Sequence, residues 1–265
     1  MYLQKIVDYK KLELEQQKRR TSLKDVQVRS DDTAPALDFR GALQSPGVRV
    51  IAEVKKASPS AGVIRADFDP LRLSQEYEEN GAAALSVLTD EHFFQGSLEV
   101  LEKIRRDVPL PILRKDFTLD AYQVYEARGA GADAVLLIAR ILEDSQMKDY
   151  ADLAAELGMV ALVEVHDRED MHRVRKIGGA CHKLVGVNNR DLNTFKTHLQ
   201  TTLDLMSQAP EGATIVSESG ISSRQDIETL RTGGVSAFLI GESLLRAPDV
   251  GQKLRELLGS RVGAR

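Results

Sequence analysis

Eight times along this chain an apolar, β-rich run gives way to a segment with helical spacing, and that alternation limits the fold more than any other feature. The runs begin near Val50, Ala83, Pro111, Ala134, Val160, Leu184, Thr214 and Ser236. Their mean separation of roughly 27 residues suits one strand plus one helix with its turns. Eight such units in 265 residues predict an α/β protein built as a closed (β/α)8 TIM barrel. A doubly wound open sheet is the competing arrangement.

The connecting segments carry helix punctuation. Asp69 precedes Pro70 at a first helical position, and the helix closes at Asn80-Gly81; Ser97 can cap LEVLEKIRRD and Asp120 opens AYQVYEARGAGA. A helix is expected from Glu143 to Gly158, Asp167 starts the next, Ser222 or Ser223 caps RQDIETLRTGG, and Asp249 precedes GQKLRELLG. Ahead of the first strand, Leu3, Ile6, Val7, Leu12 and Leu14 suggest an amphipathic helix. A polar stretch follows, then a short helical piece from Phe39 to Leu43 that stops at Ser45-Pro46-Gly47. The expected organisation is a helical extension over residues 1–48 and a barrel over 49–260, a single domain overall.

Composition narrows the function classes. With 42% apolar residues the chain can bury a large core, and its formal charge of -4 shows no basic bias, so no nucleic-acid partner is expected. Lys18-Arg19-Arg20 reads as a solvated helix end. No run has the length of a signal peptide core or a membrane helix, so no membrane partner is expected and the location is expected to be cytoplasmic. The single cysteine, Cys181, cannot form an internal disulfide or a cysteine-based zinc cluster.

The ends of the strands carry charge where a buried strand should not. Glu53 and Lys55, two residues apart, share one strand face with Ile51; Leu113 and Lys115, Leu162 and Glu164, Gly186 and Asn188, and Val216 and Glu218 repeat the arrangement. If that face points inward, two lysines, three glutamates and an amide converge at the mouth of the barrel, where active sites of this fold lie. Such a cluster is suited to acid-base chemistry, because crowding and burial tune its pKa values. The alternative is a salt-bridge layer that only fills the top of the barrel. Glycines at the ends of strands seven and eight, Gly220 after Ser219 and Gly241 after Ile240, fall where barrels of this kind hold phosphate on backbone N–H groups. The first loop, Lys56 to Phe68, contains Ser58-Pro59-Ser60 and is long enough for a flap over a ligand. His166 invites a metal or a His–Glu dyad, but no second histidine has ligand spacing at a strand end, so neither is expected.

The ordered set AEVKKASPSAG, SVLTDEHFFQGS, ILRKDF, LVEVHD, GVNNRDL, SESGI and FLIGESLL, spanning residues 52 to 245, closely resembles the indole-3-glycerol phosphate synthases of tryptophan biosynthesis, in their monofunctional form. The resemblance covers the whole barrel and implies a phosphorylated small-molecule substrate, no cofactor, no metal, and a monomer or weak homodimer. It implies that Lys115 is the general acid, with its pKa lowered toward working pH by desolvation, and that Glu164 is the principal acid-base carboxylate. Glu53 would orient Lys115 or assist dehydration, and Lys55 would meet the substrate carboxylate or developing charge. Asn188 stands with this catalytic set and, with Arg190, Glu218 and Ser219, would hold the anthranilate and ribulose portions. Ser58 and the backbone at Gly220 and Gly241, on toward Ser243, would hold phosphate. Because Glu242 follows Gly241 where some relatives have serine, its carboxylate is expected to turn away. Phe93, Phe94, Phe117 and Leu136 are candidates for an apolar wall. Two other readings of the strand-end charges stay open: a Schiff-base aldolase using Lys55 or Lys115, and a non-catalytic phosphate-binding barrel.

Overall fold

The computed structural model describes residues 2–59, 62–65, 67–191 and 194–259; the reading of Ser60 lies outside them. Eight parallel strands close on themselves: β1 Arg49–Val54, β2 Ala84–Leu88, β3 Ile112–Lys115, β4 Ala134–Ile138, β5 Val160–Val165, β6 Leu184–Asn188, β7 Thr214–Glu218 and β8 Ala237–Ile240. Each pairs with its neighbour in sequence, and β8 closes the ring on β1 with Arg49 opposite Ala237. The TIM-barrel expectation is met, and the open sheet is excluded because a closed ring has no edge strands.

Three helices precede β1: α1 Tyr2–Arg20, α2 Leu23–Asp31 and α3 Phe39–Gln44. The polar stretch after α1 is therefore itself helical. Ser22 accepts from the Asp25 N–H while the Asp25 side chain returns to the Ser22 backbone, a reciprocal cap that stabilises a helix start by about 1 kcal/mol. Its apolar periodicity is faint because only Val26 is a buried apolar residue there, with Leu23 and Val28 exposed. Around the barrel run α4 Pro70–Glu79, the short α5 Glu91–Phe94, α6 Leu98–Asp107, α7 Ala121–Gly129, α8 Asp144–Glu156 and α9 Arg168–Ile177. They continue with α10 Gln200–Met206, α11 Arg224–Thr232, the short α12 Glu242–Leu245 and α13 Val250–Leu258. Asp69, Ser97, Asp120, Asp167, Ser223 and Asp249 all cap as the sequence indicates.

Strand parity sorts the side chains into two cores. Outward residues such as Val50, Ala52, Val163 and Val185 pack under the surrounding helices. Inward residues Ile51, Leu113, Leu162, Leu184, Val216 and Leu239 fill the barrel together with Phe39 and Leu43, so α3 stops its lower end. Apolar packing below and closure by α3 leave only the C-terminal ends of the strands open.

Candidate active site

One layer above the apolar fill, the same inward parity delivers Glu53, Lys115, Glu164, Asn188 and Glu218 to the floor of a cavity of about 540 Å³. Lys115 Nζ donates to Glu164 Oε2 at 2.9 Å and to Glu218 Oε2 at 2.6 Å. Lys55, just past β1, donates to Glu53 Oε1. Glu164 and Glu218 are 3% and 1% exposed, so these charges are stabilised by one another rather than by water.

Two inward glycines create the room. A Cβ at Gly186 on β6 would stand 2.0 Å from Glu218 Oε1, and one at Gly241 after β8 would stand 2.4 Å from Glu53 Oε1. Any side chain at either position would displace a carboxylate from the floor.

The crowding sets protonation states. Burial pulls the Lys115 ammonium down, but Glu164, Glu218 and Glu53 together outweigh it and hold the pKa well above the ordinary lysine value. The expectation of a lowered lysine is thus overturned, because three nearby carboxylates favour the charged form more than desolvation opposes it. Burial also pushes Glu164 up, yet Lys115, His166 and a hydrogen bond from Asn188 bring it down to about 2. For Glu218, burial and the charge of Glu164 prevail over Lys115 and push it up to about 7.

The far side of the cavity is formed by the turns after β7 and β8. Ser219 at the end of β7 has φ 67° and Gly220 φ 81°; a non-glycine residue held in the left-handed region costs about 1–3 kcal/mol and is typical of functional turns. Gly241 begins α12 with no capping side chain, which leaves the first N–H groups without a side-chain acceptor at the cap. Ser243 Oγ donates to the Ile221 carbonyl at 2.8 Å, tying the loop after β7 to the start of α12. Glu242, expected to turn its carboxylate away, lines the same cavity and pairs with Arg190 at 3.3 Å and Arg246 at 3.0 Å. In the loop after β1, Ala57–Ser58 pairs with Gly62–Val63 as a minimal antiparallel hairpin that brings Ser58 to the cavity.

The near side is apolar. Phe94, Phe117 and Leu136 line the cavity, with Leu88 and Ile138. Phe93 does not reach it: its ring packs edge-on against Tyr2 and Tyr9 of α1. All the other candidates, Glu53, Lys55, Ser58, Lys115, Glu164, Asn188, Arg190, Glu218, Ser219, Gly220 and Gly241, line the same cavity.

Sequence reasoning missed the part played by α1, whose Tyr2, Leu3 and Ile6 form a wall of this cavity. Its anchor is Lys10, 1% exposed, with Nζ 2.8 Å from Asp90 and 3.1 Å from Asp116. Phe195 and Arg246 were missed as well. Also unforeseen is the His166 Nε2 approach to Glu164 Oε1 at 3.3 Å, made without a hydrogen bond. Among the described residues no cluster of three or more His, Cys, Asp or Glu side chains is arranged to hold a metal. Cys181 is buried away from the site, its thiol pushed up to about 12 by burial.

Comparison with known proteins agrees with this architecture. A barrel of 3-hexulose-6-phosphate synthase from Salmonella typhimurium superposes with a TM-score of 0.65 at 14% identity, over 80% of this chain and 98% of that one. A mutant tryptophan synthase α-subunit from Pyrococcus furiosus gives 0.60 at 16%, with the same coverage. These likenesses concern the fold. Sequence relatives named indole-3-glycerol phosphate synthase are far more similar. That of Polaromonas sp. is 49% identical over 261 residues, 97% of this chain and 98% of the relative. That of Acidithiobacillus ferrooxidans is 46% identical over 259 residues, 96% and 97%. The family pattern described as indole-3-glycerol phosphate synthase matches residues 3–257, and the chain belongs to that family.

Proposed function

We propose that this chain converts 1-(2-carboxyphenylamino)-1-deoxyribulose 5-phosphate into indole-3-glycerol phosphate, CO2 and water. The observation that carries the reading is the Lys115 ammonium held between Glu164 and Glu218 on the floor of a cavity with one apolar side and one anion-binding side. The apolar side suits the anthranilate ring, and the turns at Gly220 and Gly241 suit the phosphate. Lys55 and Arg190 suit the substrate carboxylate, which leaves the uncharged ketose carbonyl over Lys115.

The steps follow from that placement. The ring carbon bearing the carboxylate attacks the ketose carbonyl carbon, and Lys115 donates a proton to the oxygen as it becomes an alcohol. Holding the lysine charged keeps that proton available until negative charge develops. The carbon–carboxylate bond then breaks, CO2 leaves, and the electron pair it releases restores the aromatic ring. One proton is then taken up to replace the one Lys115 gave; in the last step the hydroxyl departs as water with a proton from Glu164 or Lys115, and the other group takes the proton whose loss completes the pyrrole. Glu53 holds Lys55, and Asn188 holds Glu164. A lysine kept protonated by two carboxylates is a poor nucleophile, which argues against the Schiff-base aldolase.

We further infer a monomer or weak homodimer and a cytoplasmic location; in support of the latter, no helix among the described residues is long and apolar enough to cross a membrane. Fluorescence detection of indoleglycerol phosphate formation by the purified chain tests the activity. Absence of product at any substrate concentration overturns it.

A further inference from the structure

Glu164 is asked to give and take protons while the substrate plugs the cavity above it, and the structure shows what lies on its other side. One oxygen, Oε2, is bonded to Lys115. The other, Oε1, faces His166 Nε2 at 3.3 Å. His166 is buried, 8% exposed, and does not line the cavity. Its second nitrogen, Nδ1, faces Asp170 Oδ2 at 3.7 Å, and neither ring nitrogen makes a hydrogen bond of good geometry. Native proteins rarely leave a buried polar ring so placed without a reason.

A neutral imidazole carries one N–H and one lone pair. Between two carboxylates it can satisfy one and must turn its lone pair on the other. Despite its burial, Asp170 is held ionised by the His166 N–H and Arg140, so only the doubly protonated ring, or a neutral ring beside a protonated Glu164, removes that conflict. The ring and Glu164 are therefore alternative homes for a single proton. Asp170 holds the arrangement in place, since the same Oδ2 accepts the His166 backbone N–H at 3.0 Å and lies 3.4 Å from Arg140. Arg140 is partly exposed and also pairs with Asp167, so the row Glu164, His166, Asp170, Arg140 runs from the cavity floor to solvent outside the barrel. The charged groups facing the ring are thus Glu164 from β5, backed by Lys115 from β3, and Asp170 from α9, backed by Arg140.

We propose that His166 is a positioning residue that shares one proton with Glu164, letting this carboxylate alternate between base and acid without drawing on water from the occupied cavity. The proposal rests on the ring-closing function proposed above, in which Glu164 exchanges protons. His166→Gln keeps an N–H donor of similar reach but cannot hold a second proton. The expected result is a fall in kcat of at least about tenfold with KM within threefold, together with loss or displacement of one limb of the pH profile of kcat. A kcat within threefold of wild type, or a fall by the same factor at every pH, overturns it. Should His166→Gln fail to fold, Asp170→Asn is judged by the same criterion.

A readout without turnover separates this proposal from the function itself. Nitrogen-15 NMR at one neutral pH should show a larger doubly protonated share of the His166 ring in the wild type than in Glu164→Gln, and equal shares overturn the proton-sharing pair. If the wild type forms no product while the NMR difference is present, the ring-closing reading fails and the pair stands.

Discussion

Replacing Lys10 by methionine keeps most of the side-chain volume and removes one charge, so it isolates what the buried ammonium does. Lys10 Nζ lies 2.8 Å from Asp90, 3.1 Å from Asp116 and 3.0 Å from Glu13, and only Glu13 has appreciable access to solvent. Asp116 would retain Thr89 at 2.6 Å and Arg114 at 3.3 Å, whereas Asp90 would keep the Phe93 N–H. Removing one partner from a buried ionic cluster costs about 3–5 kcal/mol, because the remaining charges stay desolvated. The cost should appear as detachment of α1 before the barrel opens, since α1 is a separate helix held from outside. Hydrogen exchange should therefore show protection of residues 2–20 reduced by about 3 kcal/mol, while the strands lose less than about 1 kcal/mol. Because Tyr2, Leu3 and Ile6 line the cavity, KM should rise at least about tenfold. Neutralising the whole cluster with Lys10→Met, Asp90→Asn and Asp116→Asn should recover half or more of the lost protection, since no buried charge is then left unpaired. Unchanged exchange in α1 and an unchanged KM in Lys10→Met would refute the reasoning.

Lys115→Ala should lower kcat by at least about a thousandfold with the circular dichroism spectrum of a folded barrel, and near wild-type kcat would remove Lys115 from the mechanism. Gly186→Ala should lower kcat at least about tenfold, because its Cβ would stand 2.0 Å from Glu218 Oε1 and push that carboxylate off Lys115; unchanged kinetics would show that the floor tolerates the shift. Stability should depend on pH in two opposite ways. Glu218, raised from 4.5 to about 7 in the folded state, favours folding most below pH 4.5 and progressively less as pH rises to about 7. Glu164, lowered from 4.5 to about 2, favours folding above pH 4.5 and loses that contribution as pH falls toward 2. Urea midpoints across pH 2–8 should therefore lose the decline between 4.5 and 7 in Glu218→Gln, and the acid-side loss should shrink in Glu164→Gln. Parallel curves for wild type and both variants would contradict these assignments.

The floor of the site was legible because strand parity is a local rule. Once Ile51, Leu113, Leu162 and Val216 are inward, Glu53, Lys115, Glu164 and Glu218 two residues on must be inward too. Parity says nothing about distance, however. That three carboxylates would gather closely enough to raise the lysine rather than leave it lowered by burial depends on side-chain geometry across the barrel. The wall supplied by α1 was hidden for a different reason. Lys10 looks like one more surface lysine in MYLQKIVDYKKLELEQQKRR, and only the approach of the loops after β2 and β3 buries it against Asp90 and Asp116. The approach of His166 to Glu164 was not legible because metal spacing says nothing about a carboxylate two residues back on the same strand end.

The separation of charge within the cavity has a further consequence for binding. A substrate bearing both a carboxylate and a phosphate must enter a site whose floor holds three glutamates against Lys115 and Lys55, an excess of negative charge when all are ionised. At 4 Å and an effective dielectric near 20, each unscreened like-charge contact would oppose binding by about 4 kcal/mol. On the proposed reading the anions are met instead by Lys55 and Arg190 and by the turns at Ser219-Gly220 and Gly241, all of which line the same cavity. Only the uncharged carbonyl and the hydroxyl derived from it then meet the carboxylate floor. On the same reading Glu242 can release Arg190 to the substrate carboxylate without leaving a buried charge behind, because its side chain is 39% exposed. A buried glutamate there would have made the same release costly, so the exposure of Glu242 is what lets an acidic residue follow Gly241 at the proposed phosphate turn.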